Sequence, residues 1–200
     1  MNSKSNYYDY EDFYKYENNH EYSSLKCCND NPYHPTPTKS IFSCGHGSGI
    51  SLPISVTNPI PVANVTIDTT CLCNPSVKID FSSIINYQTL IDLGGGGFGL
   101  LTNPFSVTFR LSKVCGKTEK ITLGSWDYSF GLLALAVNVT NSFSFSYCEC
   151  NPCPSCCTYI VEIVNTTPLI TTSSGTEVPI TISQNSSIRS SNIFATAFSH

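Results

Sequence analysis

Eleven cysteines carry most of the chemistry open to this chain: Cys27, Cys28, Cys44, Cys71, Cys73, Cys115, Cys148, Cys150, Cys153, Cys156 and Cys157. Two pairs have the spacing C-x-C (Cys71/Cys73 and Cys148/Cys150), two are adjacent (Cys27/Cys28 and Cys156/Cys157), and Cys153/Cys156 is a C-x-x-C. Three chemistries fit such a set. Thiolates can hold a metal, thiols can oxidise into cross-links, and cysteines can be buried as small hydrophobes. Structural zinc takes four Cys or His ligands, commonly as two C-x-x-C knuckles. The C-x-x-C spacings Cys150/Cys153 and Cys153/Cys156 share Cys153 and so supply one knuckle rather than two, and His20, His34, His46 and His200 show no ligand spacing. No metal site is therefore assigned, and a thiolate module built on Cys148, Cys150, Cys153, Cys156 and Cys157 is kept as an alternative.

Oxidation accounts for more of the pattern. In a strand, residues i and i+2 point to the same face, so each C-x-C presents two thiols side by side. They are poorly placed to bond each other and well placed to bond a neighbouring strand. Adjacent cysteines are in a similar position, because a disulfide between neighbours is strained. The odd total leaves at least one thiol free or bonded to another chain. Cys71, Cys73, Cys115, Cys148, Cys150, Cys153, Cys156 and Cys157 are accordingly expected to be structural or cross-linking cysteines.

Other motifs carry no chemistry. GGGGFG (Gly94–Gly99) lacks the Lys-Ser/Thr of a phosphate loop and any helix to follow it, so it reads as a hairpin tip or loop. CGHGSG (Cys44–Gly49) brings Cys, His and Ser together, but a nucleophile needs a base oriented by a third group, and His46 reads as a turn residue. Asp68, Asp80, Asp92 and Asp127 are scattered, and Trp126 reads as a packing residue. No catalytic residue, cofactor or enzymatic activity is expected.

The elements that position these cysteines read as strands. Ala63, Val65 and Ile67 share one face of VANVTID; Val77, Ile79 and Phe81 share one face of SVKIDFS. Phe105, Val107, Phe109 and Leu111 do the same in FSVTFRL, Phe143, Phe145 and Tyr147 in SFSFSYC, and Tyr159, Val161 and Ile163 in CTYIVEIV. This is period-2 alternation, with Gly, Pro and Asn turns between the segments. The fold class is all-β, a jelly-roll-like or β-sandwich single domain over residues 41–164. Residues 1–40 read as a Tyr-rich flexible arm, holding seven of the eleven tyrosines and closed by NPYHPTPT. Residues 165–200 read as a Ser/Thr-rich tail in which EVPITIS adds at most one edge strand. TCLCNP (Thr70–Pro75) is echoed by YCECNP (Tyr147–Pro152), which suggests two equivalent strand ends, each finished by an Asn-Pro turn; if those ends are neighbours, Cys71 and Cys73 can face the Cys148–Cys157 cluster.

Composition removes several classes. Charged residues make up 12% of the chain, about half the usual share, and ten of them fall within residues 1–40. The remaining 160 residues hold fourteen, a body with little electrostatic protection against association. The net charge of −4 has no basic patch, so nucleic acid is not an expected partner. The longest apolar run, Phe130 to Val137, is too short for a membrane helix, so no membrane is expected either. MNSKSNYYDYEDFY has no apolar stretch of the secretory type, which predicts synthesis in a cytoplasm.

Two resemblances follow from these residues. CGHGSGISLP, VANVTIDTTCLCNPSVKIDFSS and CECNPCPSCCTYIVEIV, spread over Cys44 to about Val164, resemble a domain family of spore-forming clostridia that implies no particular activity. LKCCNDNPYHPTPTKSIFSC resembles the N-terminal connector of Bacillus endospore appendage subunits, in which an apolar residue precedes Cys-Cys and a third cysteine follows. Leu25, Cys27, Cys28 and Cys44 stand in that order here, with fifteen residues between Cys28 and Cys44. The resemblance implies a jelly-roll subunit that stacks into fibres, with Cys27, Cys28 and Cys44 in disulfides between chains. It also implies a spore-surface location (appendage, exosporium or coat), reached from the mother-cell cytoplasm without a signal peptide. The expected partners are further copies of the chain and other spore-surface proteins. An adhesin or receptor-binding β-domain is the other alternative.

Overall fold

The computed structural model describes residues 39–92, 99–131, 136–150, 152, 155–168, 170–173 and 181–199. The expected Tyr-rich arm, with Cys27 and Cys28, lies outside them, as do Cys153 and most of GGGGFG. Every described element is a strand: β1 (Ser40–Cys44), β2 (His46–Gly47), β3 (Ile50–Ser51), β4 (Ile60–Asp68), β5 (Ser76–Asp92), β6 (Gly99–Asn103), β7 (Phe105–Cys115), β8 (Ile121–Phe130), β9 (Ala136–Cys150), β10 (Cys156–Thr167), β11 (Ile170–Ser173) and β12 (Thr181–Phe198).

The strands form two open antiparallel sheets and a small ribbon. Sheet one runs β1-β12-β5-β9, with β3 also on β12; sheet two runs β2-β4-β10-β7-β8. Taking the eight principal strands in chain order, sheet one holds the first, eighth, third and sixth, and sheet two the second, seventh, fourth and fifth. That interleaving is the double Greek key of a jelly roll. The ribbon pairs β6 with β11 and prolongs the β7–β10 pair beyond Pro104 and Pro168, since Ser106↔Thr167 is followed by Asn103↔Ile170.

Alternation builds the core. The odd residues Val77, Ile79, Phe81, Ile85 and Tyr87 of β5 face Phe105, Val107, Phe109 and Leu111 of β7 and Tyr159, Val161 and Ile163 of β10, all buried. Aromatic rings fill the gap between the sheets. Trp126 stacks on Phe145 with ring centroids 3.9 Å apart, Tyr87 on Phe105 at 4.5 Å, and Phe109 on Phe143 at 4.8 Å. Each such pair adds about 0.5–1.5 kcal/mol beyond the area it buries.

The segment CGHGSG stitches the sheets together. Its chain leaves sheet one after Cys44, pairs as β2 with Asn64 and Ala63 of sheet two, and returns as β3 to β12. His46 is thus part of a short strand rather than a turn. The glycines permit the crossing: a Cβ on Gly45 would sit 2.1 Å from the Asn64 carbonyl oxygen, and one on Gly47 2.2 Å from the Ser191 hydroxyl.

One expectation is corrected. The stretch read as a Ser/Thr-rich tail supplies β12, an 18-residue strand between β1 and β5 in the interior of sheet one. The body therefore extends to Phe198 rather than ending at 164. Ile188, Ile193, Ala195 and Ala197 are buried in the core, while Ser187, Asn192 and Thr196 pair with the outward residues Asn86, Ser82 and Lys78 of β5. A bulge between Ile188 and Ser190 switches the inward set from even to odd numbers, which hides the alternation from a simple count.

A core position and a tail position respond differently to truncation. Ile193→Ala is expected to lower stability by about 2–5 kcal/mol in urea unfolding, the range for a buried aliphatic side chain. A tail residue would lose nothing measurable.

Candidate functional site

The cysteines gather where the chain ends its strands. β4 finishes at Asp68 and β5 begins at Ser76; between them Thr70 and Cys71 form a turn in which the Thr70 N–H and hydroxyl both donate to Asp68 Oδ1, at 3.0 and 2.8 Å. Leu72 is buried and anchors the turn, and Asn74 closes it at φ 43°, a left-handed conformation that asparagine tolerates. The first C-x-C is therefore not two thiols side by side on a strand. Cys71 is exposed and free, whereas Cys73 is half-buried and disulfide-bonded. The strand had already ended at Asp68.

The second C-x-C behaves as alternation requires. Phe145, Tyr147 and Glu149 of β9 turn inward, so Cys148 and Cys150 both turn outward, exposed and free, opposite Lys78 and Ser76 of β5. The two echoed segments are neighbours, since Ser76, directly after TCLCNP, pairs with Cys150. The Thr69 N–H and hydroxyl each donate to the Ser155 carbonyl at 3.0 Å, and the Ser155 N–H donates to Thr69 Oγ1 at 3.1 Å.

Cys156 and Cys157 are split by the same parity. Cys156, opposite Asp68, is exposed and free. Cys157 turns inward and bonds Cys115, its direct partner across the β10–β7 pair, with Cα atoms 4.1 Å apart. A cluster of five thiolates over Cys148–Cys157 is thus not what the structure contains. Among the described residues no group of three Cys, His, Asp or Glu side chains is placed to share a metal ion.

Beneath the thiols the core is closed by polar groups that sequence reasoning missed. Glu149 reaches inward from β9 to form an ion pair with Lys113 of β7, and it accepts a hydrogen bond of 3.0 Å from the Tyr159 hydroxyl of β10. The three side chains tie sheet one to sheet two. Burial, reinforced by the Glu149 charge, pushes the Tyr159 hydroxyl far above its ordinary range, so it remains a donor. The signal lay in SFSFSYCEC, where Glu149 is the lone charge on the parity of Phe143, Phe145 and Tyr147.

Cys44 stands apart. It lies on the outward face of sheet one at the opposite edge, directly across from Phe194. Phe42, 62% exposed, stacks on Phe194 with centroids 5.9 Å apart, and Phe198 extends the patch. The described chain begins at Lys39, whose N–H donates to Ser199 Oγ at 3.1 Å and whose carbonyl accepts from the Ser199 N–H at 3.0 Å. Ser40 pairs with Phe198, Phe198 with Ser76, and Ser76 with Cys150. The segment carrying Cys27 and Cys28 therefore joins the body at the same end as Cys71, Cys148, Cys150 and Cys156.

On the outer face of sheet two, Glu162 is 8% exposed and accepts from Lys120 at 2.6 Å and Arg110 at 3.1 Å. Burial alone would raise its pKa, but the hydrogen bonds and charges of Lys120 and Arg110 prevail and hold it below the ordinary glutamate value.

A family model described as a domain of unknown function (DUF4489) matches residues 38–186, which takes in the body from the start of β1 into β12. No curated protein matches the chain.

Two measurements check this geometry. A maleimide applied to the native monomer, with only its internal disulfides formed, should label Cys44, Cys71, Cys148, Cys150 and Cys156, with Cys73, Cys115 and Cys157 labelled only after reduction and unfolding. Glu162 has a depressed pKa, so its contribution to stability is complete above about pH 4.3 and is lost as pH falls through its folded value. Glu162→Gln should therefore lower stability at pH 7 and flatten the acid limb of the stability–pH curve. An unchanged acid limb would count against the paired, buried carboxylate.

Proposed function

The chain belongs to the DUF4489 family, and we propose that it is a structural, self-assembling subunit whose neighbours are joined by disulfides. The observation that carries this reading is the placement of its free thiols. Four of the five among the described residues, Cys71, Cys148, Cys150 and Cys156, are exposed at one end of the sandwich, where the segment bearing Cys27 and Cys28 also joins. Thiols that served only to close the core would be turned inward and paired, as Cys157 is.

The surface supports the same reading. The body carries few charges, and several of them are spent on one another: Lys78 with Asp80, Lys113 with Glu149, and Glu162 with Arg110 and Lys120. The Phe42–Phe194–Phe198 patch is of the kind that marks contact surfaces. Sheet one also ends in β9, a 15-residue strand with no lysine or proline and one charge, Glu149, which points inward. Of the side-chain devices that normally prevent strand-to-strand association, this edge carries the inward-pointing Glu149 alone.

The setting we propose is the surface of a spore, as a layer component or appendage fibre. It rests on the similarity of LKCCNDNPYHPTPTKSIFSC to appendage connectors. In that setting the thiols stay reduced during synthesis and oxidise once the mother cell is gone.

The test is negative-stain microscopy of air-oxidised protein beside reducing and non-reducing gels. Ordered fibres or sheets and a thiol-sensitive ladder are expected, and Cys27→Ala with Cys28→Ala should abolish the ladder. A clean monomer under oxidation would sink the reading.

A further inference from the structure

We infer that two copies of the chain join end to end through β9, Cys148 of each bonding Cys150 of the other. This rests on the reading of the exposed thiols as cross-links and names the partner for one pair of them.

The two thiols cannot satisfy each other. Residues i and i+2 of a strand are about 6.8 Å apart with side chains pointing the same way, whereas a disulfide requires Cβ atoms about 3.5–4.5 Å apart. A bond must then come from an adjacent strand. On one side that strand is β5, which offers Lys78 opposite Cys148 and Ser76 opposite Cys150, neither of them a thiol. On the other side β9 is the edge of sheet one and has no partner among the described strands. The partner strand comes from another chain, whose β9 meets this one over its last residues, Cys148–Cys150.

One register satisfies both thiols with no further cysteine. If β9 of a second copy lies antiparallel with Glu149 opposite Glu149, Cys148 faces Cys150 of the second copy and Cys150 faces its Cys148. Directly opposed residues of antiparallel strands have Cα atoms about 4.5–5.5 Å apart, within the range a disulfide spans. The chain already uses this arrangement internally, since Cys115 and Cys157 are directly opposed across antiparallel strands and bonded. The two Glu149 side chains then lie side by side on the inward face, a like-charge pair that is destabilising alone; each is compensated by its own Lys113 and Tyr159. The contact is two-fold symmetric and closes as a dimer.

Each bond forms by two exchanges with a small-molecule disulfide. The Cys148 thiolate attacks it and expels one small thiolate; the Cys150 thiolate of the second copy attacks the mixed disulfide and expels the other. Per bond the protein gives up two protons and two electrons, and the small disulfide is reduced to two thiols.

The experiment uses the full-length chain carrying Cys27→Ala and Cys28→Ala, oxidised with glutathione disulfide and run on non-reducing gels. The ladder of higher rungs is lost and a single covalent dimer band is expected to remain. Adding Cys148→Ser alone or Cys150→Ser alone should each abolish it, because the remaining thiol then faces a serine. Mixing the two single variants should restore it as a heterodimer, with a Cys148–Cys150 link in the peptide map. A dimer that survives either single variant, or a mixture that stays monomeric, overturns the inference. If the wild-type ladder persists without this dimer, cross-linking through the arm stands and only the β9 junction fails.

Discussion

Strand parity governs this molecule. Once Phe143, Phe145 and Tyr147 of β9 are committed to the gap between the sheets, every even residue of that strand must face the other way, and Cys148 and Cys150 follow. The same commitment by Tyr159, Val161 and Ile163 takes Cys157 inward and leaves Cys156 outside. Hydrophobic burial, at about 25 cal/mol per Å², thereby sorts the cysteines before any redox chemistry begins. Inward thiols meet a fixed partner, as Cys157 meets Cys115, and outward thiols such as Cys148 and Cys150 stay exposed.

The polar groups obey the same constraint and pay a different penalty. A carboxylate at an inward position would be costly alone. Glu149 is tolerated because Lys113 and Tyr159 meet it from the opposing sheet, turning a liability into a tie between layers. Glu162, on the outer face of sheet two, is crowded by its own sheet and needs two cations. Such pairs contribute little net stability compared with apolar packing, but removing one partner leaves the other stranded.

Much of this was legible in the residues. Five segments alternate clearly enough to be read as half-buried strands, and their inward sets are buried or, at Phe143 and Tyr147, partly buried against the core. The all-β class followed from them. β12 was not legible, because a bulge reverses its parity after Ile188 and because Ala195 and Ala197 bury too little to mark a core strand. The first C-x-C was misread since nothing in TIDTTCLC announces that pairing stops at Asp68. The Cys115–Cys157 bond depends on the register of β7 against β10, a long-range property that spacing along the chain does not encode.

The position of β12 has a kinetic side. It is the last described strand in the chain, yet it lies between β1 and β5 and pairs Phe198 with both Ser40 and Ser76. Sheet one cannot close until that strand has left the ribosome, so the nascent chain carries an open, half-covered core throughout its synthesis. Contacts this distant in sequence also make folding slow, and partly built β-sheets are the species most prone to misassembly. A cell making this chain in quantity would depend on a reducing compartment, or on chaperones, to hold its thiols and strand edges apart until the final strand is in place.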